Sequence, residues 1–172
     1  MAMKAITAVL PQLFFARPVL EVAPELLGKD LVCDRGRFMM TEVEAYDGPE
    51  DKACHGRFGR TKRTEVMFGP AGHWYVYRIY GMYWMLNIVT GDEGYPSAVL
   101  IRGVGEYRGP GKLTRELDID QSFNGQLASV QSGLWIEHSN RHIAPSDIER
   151  TARIGVEYAG AWAKKPYRFL FK

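Results

Sequence analysis

The chain has 172 residues, with 22 Lys and Arg against 20 Asp and Glu, a formal net charge of +2. With 46% hydrophobic and 24% charged residues, it reads as one globular domain, 1–172, and not as a disordered or fibrous chain. No apolar run reaches the roughly 18 residues of a membrane span, and two cysteines, Cys33 and Cys54, make no disulfide framework.

The opening MAMKAITAVLPQLFFARP has one Lys and a short apolar run interrupted by Pro11 and Arg17. No small-residue cleavage site is clear, so it reads as mature, cytoplasmic sequence. Residues 18–27 have helical spacing at Leu20, Ala23, Leu26 and Leu27, and Gly28 follows as a C-cap. Residues 31–33 and 38–46 read as strands joined by an Asp34-Arg35-Gly36 turn. Residues 74–89 are rich in aromatic and β-branched side chains and are broken by Gly81. They predict a β-hairpin with its tip near Tyr80-Gly81-Met82. Residues 98–102 predict a strand, 112–117 the start of a helix, and 134–137 a strand. Residues 145–149 are a helix start or turn, and 167–171 a final strand. Strands cluster and helices flank them without βαβ regularity. That predicts an α+β fold with an antiparallel sheet.

Basic residues fall in groups: Arg57, Arg60, Lys62 and Arg63; Arg102, Arg108, Lys112 and Arg115; Lys164, Lys165, Arg168 and Lys172. Each is either solvated surface or part of a face that attracts phosphates. In TEVEAYDGPEDKACHG, alternation along a strand puts Glu42, Glu44 and Tyr46 on one face, with Met40 and Phe38 behind them. Carboxylates beside an aromatic and an apolar wall suit acid/base work, because desolvation raises a carboxyl pKa. Spacing alone somewhat favours a solvated strand face, since exposed charge is the common case. In WYVYRIYGMYWMLNIV, core packing accounts for Tyr75 and Trp84. It accounts less well for Tyr80, because a hairpin tip is exposed and an aromatic there can stack on bases. Asn87 is a lone amide in an apolar strand, either satisfied structurally or lining a pocket. His138 and His142 have helix-ligand spacing but no Cys pair or acidic partner, so no metal site is expected. Gly109-Pro110-Gly111-Lys112 fails as a phosphate loop, since Leu113 stands where Ser or Thr belongs.

Taken in order, EAYDGPEDKACH, MFGPAGHWYVYRIYGMYWMLNIV, VLIRGV, GPGKL and ARIGVEYAGAWAKKPYRF resemble the alkyladenine (3-methyladenine) DNA glycosylase family. The likeness runs from about residue 27 to 171. It implies a single α+β glycosylase domain around a curved antiparallel sheet flanked by helices, with a protruding β-hairpin. The implied enzyme is a monofunctional N-glycosyl hydrolase, without cofactor or metal. It flips damaged purines out of double-stranded DNA and releases them in base excision repair: 3-methyladenine, with hypoxanthine and ethenoadenine as further substrates. A monomer acting on chromosomal DNA is implied, with no membrane partner. By the same resemblance, Glu44 is the water-activating carboxylate and Arg102 helps hold water and nucleotide. Tyr46, His55 and Tyr77 enclose the flipped base, Asn87 disfavours guanine, and Tyr80 fills the gap in the duplex.

Other readings compete. A non-catalytic nucleic-acid-binding domain would use the aromatic hairpin and basic patches, but gains nothing from carboxylates facing phosphates. A helix-hairpin-helix repair enzyme is suggested by RGVGEYRGPGKL, yet needs helices on both sides. A carbohydrate hydrolase would not need the basic groups.

Overall fold

The computed structural model describes residues 9–172. The reading of the opening stretch as mature sequence falls partly on residues 1–8, outside that span. In chain order the elements are α1 (Gln12–Phe15), α2 (Val19–Leu26), β1 (Asp30–Cys33), β2 (Gly36–Asp47), β3 (Trp74–Ile79) and β4 (Tyr83–Val89). Then follow β5 (Ser97–Val104), β6 (Tyr107–Arg108), α3 (Pro110–Glu116), β7 (Trp135–Glu137), β8 (Ile148–Thr151) and β9 (Arg168–Phe171). Among the described residues the strands join in one sheet of order β3-β4-β5-β2-β1-β7, with β6 on β5 and β9 between β2 and β8. Every pairing is antiparallel. The fold is therefore α+β, as the clustering of strands predicts.

One face of the sheet carries the main core. In α2, Val19, Val22, Ala23 and Leu26 are buried at helical spacing, and Gly28 follows at φ 81°. They share one buried cluster with Val43 and Ala45 of β2, Leu86 and Ile88 of β4, and Val99 and Ile101 of β5. Each such aliphatic side chain contributes about 1.5–3 kcal/mol on burial. α3 starts at Pro110, two residues before the expected position, because a proline's fixed φ suits a first helical turn. Its Leu113 seals the same core. The segment RGVGEYRGPGKL forms the end of β5, β6 and the start of α3, which removes the helix-hairpin-helix reading. Residues 145–149 divide into a 3-10 turn, Pro145–Asp147, and the start of β8. His138 and His142 lie in irregular chain, not on a helix.

The other sheet face follows by alternation. It presents Glu44 and Tyr46, Tyr75 and Tyr77, Asn87, and Leu100. The register aligns them: Tyr75 pairs with Asn87, Asn87 with Leu100, Leu100 with Glu44, and Glu44 with Arg168. At the usual strand spacing, Asn87 and Glu44 lie about 10 Å apart in one cross-sheet row.

One expectation for β2 fails. Its register with β5 shifts between Met40 and Val43. Met40, Val43 and Ala45 all enter the core, as do Val104, Ile101 and Val99 on β5. Both strands thus change face at the same place. Met40 therefore does not stand behind the carboxylates, and Phe38 packs with Tyr107, ring centroids 5.8 Å apart. Simple alternation cannot anticipate a β-irregularity of this kind.

Candidate active site

A cavity of about 540 Å³ opens on the second sheet face, with Tyr46, His55, Tyr77, Tyr80 and Arg102 in its walls. Beneath it lies a slit of only about 10 Å³, between Tyr46, His55, Tyr75, Tyr77, Asn87 and Ala98. That is at most the space of one water. Ala98 pairs with both Tyr46 and Val89, so a methyl group floors the slit. Tyr46, His55 and Tyr77 border both spaces, whereas Asn87 borders only the slit.

Glu44 is fully buried, at 0% exposure. Its Oε1 accepts from the Ile154 backbone N–H at 2.8 Å and lies 3.5 Å from Arg102 Nε. Its Oε2 accepts from the Tyr46 hydroxyl at 2.9 Å. Burial pushes the carboxyl above its ordinary pKa, against the pull of Arg102, the Ile154 amide, Tyr46 and Arg153. A desolvated carboxylate with its lone pairs directed in this way is a competent proton acceptor. Glu42 is its opposite. Arg102 Nε and Arg168 Nε reach Glu42 Oε1 at 3.0 and 2.6 Å. Burial raises this carboxyl too, but the two guanidinium groups overcome that and hold it below the ordinary range.

The aromatic walls interlock. His55 meets Tyr77 edge-on, with centroids 4.6 Å apart, and its Nδ1 lies 3.1 Å from the Tyr75 hydroxyl. Burial, with Arg63 and Arg57 nearby, lowers the His55 pKa to about 4. The ring is neutral at physiological pH and keeps Nε2 free to donate or accept. Burial raises the phenols, Tyr75 to about 12 and Tyr46 and Tyr77 well above the ordinary value. All three stay protonated. Asn87 Nδ2 donates to the Tyr75 and Met85 carbonyls at 3.1 and 3.3 Å, which fixes the amide in place.

Tyr80 stands at the mouth, 86% exposed. The Met82 N–H donates to the Ile79 carbonyl at 3.1 Å, closing the turn. Tyr80 and Gly81 both have positive φ, 49° and 65°, as mirror-image hairpin turns require. Glycine meets that demand freely, while a tyrosine there is strained. The tip falls where the Gly81 break predicts it.

Sequence reasoning missed a second layer. Arg153 and Asp51 form a fully buried ion pair at 2.6 Å, both side chains at 0% exposure. The sequence reading assigns neither residue a role, and a partner 102 positions away leaves no local signal. The basic groups also sort differently from expectation. Arg102 and Arg168 serve Glu42 and Arg115 pairs with Glu116, so those groups are not wholly available to phosphates. Among the described residues, no carboxylate lies within ion-pair distance of Arg57, Arg60, Lys62 or Arg63. Arg63 also borders the cavity. No helix among the described residues is long and apolar enough to cross a membrane.

Known proteins resemble this chain in sequence. A relative from Methanocella arvoryzae, provisionally named 3-methyladenine DNA glycosylase, is 44% identical over 95% of this chain and 92% of its own. One of the same name from Legionella pneumophila is 44% identical over 95% of this chain and 94% of its own. Another, from Wolbachia pipientis, is 46% identical over 86% of this chain and 84% of its own. The family profile described as methylpurine-DNA glycosylase matches residues 13–108 and 105–172. By these matches, which take in both the β2 carboxylates and the segment that anchors them, the chain belongs to the methylpurine-DNA glycosylase family.

Proposed function

We propose that the chain is a monofunctional DNA glycosylase that extrudes alkylated purines from double-stranded DNA and hydrolyses them, leaving an abasic site. It acts as a monomer and a single domain, in the cytoplasm on chromosomal DNA. The observation that carries this reading is Glu44: a fully buried carboxylate, anchored by a backbone N–H and a phenol beside an aromatic cavity.

A base inside a duplex must leave the stack before its glycosidic bond is reachable. Tyr80 takes the vacated place and offsets part of the lost stacking. The purine enters between Tyr46 and Tyr77 with His55 at its edge. Alkylated purines are cationic, so the π-faces favour them over neutral bases. Glu44 takes a proton from water while the water oxygen bonds to the anomeric carbon. The bond from that carbon to the purine nitrogen breaks, and the base leaves with the electron pair. The carboxylate also stabilises the oxocarbenium-like transition state, with Arg102 holding the nucleotide. Hypoxanthine and ethenoadenine belong to the same reading, as poorer leaving groups. Among the described residues no lysine borders the cavity, which supports a mechanism without a Schiff base.

The test is release of free methylpurine from methylated duplex DNA, with ethenoadenine and hypoxanthine duplexes alongside. Glu44→Gln keeps the shape and removes the proton acceptor. It should lower single-turnover excision by about 10²–10⁴ while lesion-duplex binding survives. Wild-type rates in that variant, or a borohydride-trapped protein–DNA adduct in the native enzyme, would refute the reading.

A further inference from the structure

We propose that Arg153, locked by Asp51, is a positioning residue for base excision: it fixes Glu44 through the adjoining Ile154 amide and holds the Tyr46 ring from behind. The proposal rests on the reading of Glu44 as the water-activating base.

The guanidinium forks onto Asp51, Nη1 to Oδ2 at 2.6 Å and Nη2 to Oδ1 at 2.9 Å. Nη1 also donates at 2.9 Å to the carbonyl of Ala45, the residue between Glu44 and Tyr46. Nη2 reaches the Trp162 carbonyl at 3.3 Å. Asp51 in turn accepts from the Asp47 and Ala53 N–H groups, each at 3.0 Å. One side chain thus ties β2, the loop after it and the C-terminal segment into a single block. Its central carbon lies 4.8 Å from the Tyr46 ring centroid and 5.2 Å from that of Tyr167.

Stability alone does not account for this pair. Buried ion pairs can often be replaced by apolar side chains at little cost, and this one leaves Arg153 Nε buried without a partner. Its consequence at the site is specific. Glu44 accepts from the Ile154 N–H and from the Tyr46 hydroxyl. The first donor is the peptide next to Arg153, and the second belongs to the ring that Arg153 stacks against. Displacing the guanidinium shifts both donors together.

The charge matters as well. Glu42 and Tyr46 approach Glu44 from β2, Arg102 from β5 and Tyr77 from β3. Arg168 of β9 lies opposite but is bound to Glu42. Arg153 adds a cation that favours ionised Glu44, and Asp51 balances it.

Two variants separate these effects, each measured for single-turnover release of methylpurines across pH, for lesion-duplex binding and for cooperative unfolding. Arg153→Lys keeps the cation and loses the fork. Excision should fall on the order of tenfold to a hundredfold, as misplacing a catalytic group by an ångström does, with lesion affinity nearly unchanged. Asp51→Asn keeps the shape and leaves the cation unbalanced. The acid limb of the rate should then move to lower pH, because a nearby cation favours the carboxylate. One folded variant suffices to decide. A wild-type rate in folded Arg153→Lys, or an unmoved acid limb in folded Asp51→Asn, would overturn the proposal. Loss of cooperative unfolding in both would also overturn it, making the pair a fold element only. Glu44→Gln, assayed in parallel, keeps the two ideas apart. If it is active, the reading of Glu44 fails; if it is inactive while the pair variants behave as wild type, only the present proposal fails.

Discussion

Tyr46 stands two positions after Glu44 on β2, and its hydroxyl donates to Glu44 Oε2 at 2.9 Å. One residue therefore supplies a cavity wall with its ring and a carboxylate donor with its edge. Tyr46→Phe separates the two roles. The face for the base remains, but a hydrogen bond that favours ionised Glu44 is lost. In the proposed mechanism Glu44 acts in its ionised form, so the acid limb of excision should move to higher pH while the rate at high pH changes least. A limb that stays in place would show that the hydroxyl does not tune Glu44.

Tyr80 combines 86% exposure with φ 49°. Tyr80→Gly should relieve strain of roughly 1 kcal/mol and remove about 1–3 kcal/mol of stacking on DNA. Thermal stability should hold or rise while lesion-duplex affinity falls. A drop in both would mean that the ring supports the fold instead of the complex.

Asn87 borders only the narrow slit, and in the proposed function it meets the innermost edge of the base. Asn87→Ser should raise release of unmodified guanine from a G·T mismatch, a change in discrimination of roughly 1–3 kcal/mol. The Tyr75 and Met85 carbonyls lose their Nδ2 donor, so stability should fall by about 1 kcal/mol. Guanine release that does not change, with methylpurine release intact, would remove Asn87 as the filter.

His55 sets a pH dependence of stability. Its folded pKa is lowered from 6.5 to about 4 by burial and by Arg63 and Arg57. Between those values the unfolded chain binds the proton and the folded chain does not. Stability therefore rises with pH across that window, and what is present above 6.5 is lost as pH falls toward 4. His55→Gln should flatten the melting temperature between pH 6.5 and 4 relative to wild type. Parallel curves would contradict the lowered pKa.

Local patterns in the sequence locate much of this architecture. Gly81 marks the hairpin tip, Gly28 the end of α2, and the alternation of Glu44 and Tyr46 their shared face. What is missed depends on distance or on broken periodicity. The face change at Met40–Val43 is invisible to a rule of strict alternation. β8, with Glu149 and Arg150 exposed, has too little apolar character to read as a strand. Asp51 and Arg153 carry no local signal of a partnership that only the fold creates. Arg168 reads as one more lysine-flanked cation, whereas it closes on Glu42.

The coincident face change in β2 and β5 has a consequence for how this segment can vary. A methyl group at Gly103 would stand 2.6 Å from Thr41 Oγ1, so the two backbones are already as close as side chains permit. Beyond this point, Val43 to Tyr46 of β2 alternate between the core and the face that carries the cavity. Inserting or deleting one residue between Met40 and Glu44 would send Glu44 and Tyr46 into the hydrocarbon interior and turn Val43 and Ala45 outward. Residues in this stretch can be exchanged one for another at a graded penalty, but its length cannot drift. Alternative forms of this chain should therefore differ here in composition and never in residue count.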